Sequence, residues 1–200
     1  MRPLVLFAHA AFQTSQVHRV LVERARAVAG VTFHDLYEAY PDYDVDVERE
    51  QALLAAHEVI VLQHPFYWYS VPPLLKQWMD LVLEHGWAYG REGRALAGKA
   101  MMTALSTGGG EEAYRHEGRN RHTIRELLAP IEQTARLCGM RWLPPFVVHG
   151  THRLTPEAIA RAGDDYARVL EALRDDAFDL EAIAEAPRLL PEHLPARGGR

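Results

Sequence analysis

One cysteine in 200 residues, Cys138, excludes a disulfide framework and a cysteine-built metal cluster. It occupies an apolar helical position and reads as a buried structural thiol rather than a nucleophile. No apolar run approaches the roughly 20 residues that span a bilayer, and the N-terminus lacks the basic start and apolar stretch of a secretory leader. A soluble, cytoplasmic chain is the expectation. Positive charge is also short: 22 Lys and Arg against 27 Asp and Glu leave a net charge of −5, with no basic stripe, which argues against nucleic acid as a partner. Internal repeats and low-complexity tracts are absent. The length is that of one domain with one substantial core.

What is present is an alternation. Short apolar runs near 3–8, 31–36, 59–64, 100–106 and 141–149 are separated by helical patterns, the mark of a parallel sheet built from βαβ units with helices on both faces. Ser15 is placed to cap a first helix whose stripe is Val17, Val20, Leu21, Ala25 and Val28 and which stops at Gly30. A second helix is expected from Pro72-Pro73 to Gly86, burying Leu74, Leu75, Trp78, Met79 and Val82. Between Thr123 and Gly139 another stripe runs through Ile124, Leu127, Leu128, Ile131, Ala135 and Cys138, which Pro130 must kink or divide. Thr155 and Pro156 open the last helix, which turns Ile159, Ala162, Tyr166, Val169, Leu170 and Leu173 to the core and finishes near Asp175 or Asp176. The globular unit therefore spans 1–176. Residues 177–200, with Pro187, Pro191 and Pro195 and a weak apolar pattern at Leu180, Ile183, Leu189, Leu190 and Leu194, read as a partly ordered tail, either solvated or packed on a partner subunit.

Three segments follow strands and converge where ligands of open α/β sheets bind, outside the carboxyl ends of the strands. The first, His9 to His18, brings Ser15, Gln16 and Val17 to a helix N-terminus suited to a phosphate. As a bare pattern it is no more than a capped helix. The second, Pro65-Phe66-Tyr67-Trp68-Tyr69, follows Val59-Ile60-Val61-Leu62, and four consecutive aromatics cannot all face one core; a flat conjugated ring suits them. The third, Ser106-Thr107-Gly108-Gly109-Gly110, lets backbone approach a ring closely because glycine has no Cβ, although the same glycines also suit a plain flexible loop.

Read together, Ala8-His9, Asp35-Leu36-Tyr37, Gln63-His64-Pro65, Trp68-Tyr69-Ser70-Val71-Pro72-Pro73, Gly86-Trp87-Ala88-Tyr89-Gly90, Thr107-Gly108-Gly109-Gly110-Glu111 and Trp142-Leu143-Pro144-Pro145-Phe146 resemble the flavodoxin-like NAD(P)H:quinone oxidoreductases. Within that family the likeness is nearest to the KefF- and KefG-type ancillary proteins of glutathione-gated potassium-efflux systems, and it covers about residues 3–175. The resemblance implies a flavodoxin-like three-layer α/β sandwich with a five-stranded parallel sheet of order 2-1-3-4-5. It implies FMN as cofactor, FAD being the less favoured alternative because no segment offers itself for the adenosine half. NAD(P)H would be the electron donor and a quinone or related electrophile the acceptor, in a two-electron ping-pong hydride transfer.

The same resemblance assigns His9, Ser15, Gln16, Val17 and His18 to the flavin phosphate, and Pro65, Phe66, Tyr67, Trp68, Tyr69, Ser106, Thr107, Gly108 and Gly109 to its ring. Ala10 stands where the family has proline. Tyr114, seven positions after Thr107, matches the catalytic tyrosine; for its partner, strict spacing reaches Asn120 while His116 and His122 lie nearby, and His122 is preferred. Trp87 and Tyr89 fall in a region the family uses at a homodimer interface. An alternative role is a regulatory flavoprotein subunit on the cytoplasmic part of a potassium-efflux transporter, peripheral at the inner face of the membrane.

Two further motifs lead nowhere. Gly93 to Lys99 imitates a phosphate-binding loop, but Ala100 replaces the hydroxyl residue that would bind Mg²⁺, and the run precedes a strand. His149 and His152 lack the accompanying ligands of a zinc site.

Overall fold

The computed structural model describes residues 1–179, 183, 186–188 and 193. Thirteen elements among them follow in the order β1 Pro3–Phe7, α1 Gln16–Ala27, β2 Thr32–Asp35, α2 Leu36–Ala39, α3 Val47–Ala55, β3 Val59–Pro65, α4 Pro73–Val82, β4 Ala100–Ser106, α5 Ile124–Leu127, α6 Ala129–Leu137, β5 Arg141–Trp142, β6 Phe146–Val148 and α7 Pro156–Arg174. The sheet is parallel with strand order β2-β1-β3-β4-β5, as expected, and β6 also pairs with β4.

That sixth strand departs from the expected single run over 141–149. β5 pairs with Ala100 and Met101, and β6 with Ala104 to Ser106, so the two are successive pieces of one edge beside β4. Between them stand Pro144 and Pro145, which have no N–H to give to β4; an edge strand tolerates that loss where a central strand would not.

β1, β3 and β4 are buried along their whole length, because helices cover both faces. Leu4, Leu6, Ile60, Leu62, Met101 and Leu105 face α2 to α6, whereas Val5, Val59, Val61, Met102 and Ala104 face α1 and α7. Local chemistry sets the helix starts. Ser15 Oγ accepts from His18 N at 3.1 Å, Thr155 Oγ1 from Ala158 N at 3.2 Å, and Pro156 occupies the first turn of α7. Pro130 divides the 123–139 segment into α5 and α6. α4 stops at Val82, short of Gly86, which instead turns the following loop at φ +87°.

Lys99, the lysine of the phosphate-loop imitation, donates through Nζ to the carbonyls of Ala55 and His57 and so caps the C-terminal end of α3. A feature not anticipated from sequence is Glu50. Fully buried, it accepts from Tyr40 OH at 2.6 Å and Trp78 Nε1 at 2.8 Å and meets His34 Nε2 at 2.8 Å. Burial pushes its pKa up, but these hydrogen bonds outweigh burial and hold it below the usual carboxylate range. α2, α3, α4 and β2 are thereby tied together.

Beyond α7, Phe178 and Ile183 are buried against the α1 and α7 side of the core, and Arg188 reaches Glu111. Leu180, Leu189, Leu190 and Leu194 of the expected apolar tail pattern lie outside the described residues. Among the described residues no helix is long and apolar enough to cross a membrane.

Candidate functional site

The three strand-end segments meet at the carboxyl edge of the sheet, where backbone bonds join the aromatic segment, the glycine loop and the segment after β6, and His18 joins the first segment to Ser106. Phe66 N donates to Ser106 O at 2.9 Å, Thr107 N to Val148 O at 2.9 Å, and Thr151 N to Thr107 O at 3.0 Å. They enclose a recess of about 390 Å³, within the roughly 300–1,000 Å³ usual for small-molecule sites. At one end lie Thr14, Ser15, Gln16 and Val17 at the start of α1; His9, Pro65, Phe66, Tyr67, Ser106 and Gly108 form the remainder with Thr151, His152 and Leu154. The first amides of α1 have no partner within the helix and carry its positive dipole end, which suits an anionic group. Thr151 and Leu154 had no sequence signal, and His152 was noted only as a zinc ligand without companions; all three reach the site because β6 lies beside β4.

His18 is placed differently from the other expected ligands. Its side chain turns inward, fully buried, with Nε2 2.9 Å from Ser106 Oγ and Nδ1 3.5 Å from Gln63 Nε2. Gln63 Oε1 in turn accepts from Tyr166 OH at 3.0 Å. This chain of polar groups supports the recess floor from below.

The aromatic segment divides its side chains. Phe66 is buried, Tyr67 and Tyr69 are half-exposed, and Trp68 is 92 % exposed. Trp68 and Tyr69 take φ of 50° and 62°, with Ser70 N donating to Tyr67 O at 3.0 Å. Two consecutive left-handed residues make a tight turn that usually requires Asn-Gly. Holding two bulky aromatics there costs strain, which persists when the surrounding structure enforces it and which concentrates at functional sites. Trp87 and Tyr89 are half-buried against the α2 to α6 side of the core.

Gly109 and Tyr69 lie beside the recess, whereas Thr107 is buried beneath it. Tyr69, Gly109, Tyr114 and Asn120 share a second recess with Arg119 and Arg153. Tyr69 OH donates to Asn120 Oδ1 at 3.1 Å, and Thr107 and Asn120 both lie near enough to the Tyr114 hydroxyl to lower its pKa. Burial raises the Tyr114 pKa, so the phenol stays protonated at neutral pH and is available as a donor. A Cβ at Gly109 would stand 3.3 Å from Tyr114 Cε2, close enough that the ring would have to give by a few tenths of an ångström. His149 completes the group, its ring 5.6 Å from that of Tyr114 and its Nδ1 3.1 Å from Thr107 Oγ1. His122 stands apart, largely exposed and 4.0 Å from Glu126, and His116 pairs with the same carboxylate at 2.9 Å. Of the three expected partners, Asn120 is the one that reaches Tyr114. His149 lies 35 positions further on, and no spacing rule connects it to the tyrosine.

Four histidines around the site are held neutral. Burial pushes His9, His64 and His149 down to about 4, with Arg188 adding to the effect at His149; burial also holds His18 well below its usual range, assisted by His9 and His64. A histidine whose folded pKa is depressed takes up its proton more readily in the unfolded chain, near its ordinary pKa of roughly 6.5. Stability is therefore complete above about pH 6.5 and is lost as pH falls from there toward 4. Between pH 7.5 and 5 the apoprotein should lose on the order of 2–5 kcal/mol, less than four full shifts because His9 and His149 keep some contact with water. Urea unfolding at both pH values measures this; a midpoint independent of pH in that window would show that the histidines do not carry it.

A parallel sheet with a strained aromatic turn, a helix N-terminus and a glycine loop around one recess defines an open α/β protein with a small-molecule recess at the carboxyl edge of its strands. A family model described as flavodoxin-like fold matches residues 1–172, and the chain belongs to that family. It is 46 % identical over 167 residues to the glutathione-regulated potassium-efflux system ancillary protein KefG of Pectobacterium carotovorum, covering 84 % of this chain and 91 % of that one. Among solved structures it is similar to general stress protein 14 of Treponema denticola in complex with FMN, with 38 % identity, a TM-score of 0.83 and coverage of 86 % and 99 %. An NADPH-quinone reductase from P. pentosaceus is 35 % identical, with a TM-score of 0.77 and coverage of 84 % and 97 %.

Proposed function

We propose that this protein is a flavin-dependent NAD(P)H:quinone oxidoreductase that binds FMN in the 390 Å³ recess and works as a cytoplasmic homodimer. The observation that carries this reading is the convergence of the α1 N-terminus, the aromatic turn and the glycine loop on one recess beside Tyr114. Ser15, Gln16 and Val17 would hold the phosphate, and the backbone of residues 65–69 and 106–109 would border the ring. FMN rather than FAD is the assigned cofactor because FMN is the ligand of the Treponema denticola stress protein this chain resembles. When bound, the flavin supplies the capacity to accept and donate a hydride. The likeness to the FMN-bound stress protein and to the NADPH-quinone reductase supports both assignments.

Tyr114 would donate a hydrogen bond to the oxygen that gains negative charge as a quinone is reduced, with Asn120 and Thr107 fixing its hydroxyl and His149 packing against its ring. Donor and acceptor would occupy the same place in turn, the physical basis of a ping-pong order. A second reading is a regulatory flavoprotein subunit of a glutathione-gated potassium-efflux transporter, placed at the inner face of the membrane by that partner; the KefG relative supports it.

The test begins with the pigment. Purified protein should be yellow, acid should release FMN identifiable by mass, and light scattering should give about twice the 22.6 kDa chain mass. NADPH and menadione should be consumed one for one, with parallel double-reciprocal lines. Absence of flavin after incubation with excess FMN would overturn the central assignment. Flavin binding without turnover, together with retention on a transporter's soluble domain, would favour the regulatory reading.

A further inference from the structure

Tyr114 is a wall between two recesses. On the side away from Tyr69 and Asn120 lies a cavity of about 310 Å³ whose charged lining is Glu111, Arg115, Arg125 and Arg188. Arg115 and Arg188 share the Glu111 carboxylate, so among the described residues two guanidinium groups meet one negative charge beside the Tyr114 and His149 rings. We propose that this cavity is an oxyanion subsite, completed by Arg188 from the C-terminal segment, that takes the sulfonate, carboxylate or phosphate of the molecule reacting over Tyr114. The inference rests on the quinone-reductase reading and adds a substrate class to it.

Arg188 carries the argument. It lies beyond residue 172, where the family match ends. Long cationic side chains ordinarily extend their charge into water. The Arg188 side chain is instead only 25 % exposed, with Nη2 2.9 Å from Glu111 Oε2. The same carboxylate lies 3.6 Å from Arg115, so one negative charge is shared by two arginines. Arg125 Nη1 donates to Ala186 O at 3.0 Å, which ties the segment carrying Arg188 to the cavity rim. A guanidinium fork drawn into a partly enclosed cavity favours a bidentate oxyanion over a single fixed carboxylate partner.

The experiment uses the full-length, flavin-loaded protein with menadione and a sulfonated naphthoquinone as acceptors, and NADPH and NADH as donors. Arg188→Gln should lower the ratio of kcat/KM for the sulfonated over the neutral quinone by about tenfold, and weaken the sulfonated quinone's binding, followed by tryptophan fluorescence, by a similar factor. Arg188→Lys should fall between the two proteins. Glu111→Gln removes the competing carboxylate, so the ratio should move the opposite way, upward. If Arg188 only latched the tail, the two substitutions would break the same ion pair and shift the ratio in the same direction; that result, or an Arg188→Gln protein in which both the quinone ratio and the NADPH preference over NADH are unchanged, overturns the proposal. Should the NADPH preference over NADH fall while the quinone ratio holds, the oxyanion is the donor's phosphate, and the subsite stands. Charge-selective binding that depends on Arg188 without turnover would keep the subsite and overturn the reductase reading. Turnover without charge selectivity would do the reverse.

Discussion

Replacing Gln16 by Glu should weaken FMN binding by about 30-fold while leaving the apoprotein at least as heat-stable as the unsubstituted chain. Gln16 is the first residue of α1, exposed, and on the wall of the recess. A carboxylate there would face a phosphate bearing close to two negative charges. At a few ångströms and a dielectric between protein surface and water, the repulsion is about 2 kcal/mol. Without ligand the same carboxylate meets the positive end of the helix dipole, worth roughly 0.3–1 kcal/mol in the stabilising direction. Opposite signs for stability and affinity separate a site effect from a folding defect. Riboflavin, which has no phosphate, should lose far less affinity, and salt should shrink the FMN effect. Equal weakening of FMN and riboflavin, measured by fluorescence quenching, would place the phosphate elsewhere.

Tyr114→Phe should slow reduction of the quinone by the flavin-loaded protein about five- to 150-fold, corresponding to about 1–3 kcal/mol for one hydrogen bond formed as charge develops. Reduction of the protein by NAD(P)H should change less, and FMN affinity should survive. The structure explains why the substitution is clean: the ring stays packed beside Gly109 and between Phe66 and His149, with centroid distances of 6.4 and 5.6 Å. Asn120→Ala should produce a smaller loss in the same half-reaction, because it releases both Tyr114 and Tyr69. His122→Ala should produce less again, its ring being at the surface beside Glu126. Stopped-flow measurement of each half-reaction decides; quinone reduction at the unsubstituted rate would remove Tyr114 from the mechanism.

The parts of this protein legible in its sequence are those governed by neighbours along the chain. Apolar runs bounded by turn residues marked the strands, and Ser15, Thr155 and Pro156 marked helix starts through hydrogen bonds spanning three residues. Pro130 announced the break between α5 and α6 for the same local reason. The three strand-end segments could be ranked as a site because parallel sheets collect such segments at one edge.

Where a side chain goes after that depends on partners remote in sequence. His18 is bound to Ser106, 88 positions away, and so supports the floor of the recess instead of lining it. Trp68 and Tyr69 enter left-handed backbone that their own preferences oppose, held by the surrounding fold. Tyr114 acquires His149 through the placement of β6 beside β4 and Arg188 through the return of the chain past α7. Composition, periodicity and capping thus determined the sheet, the helix starts and the edge on which a ligand would bind. Tertiary packing alone decided which polar groups face one another there, because burial and hydrogen-bond geometry act across space and leave no trace in residue spacing.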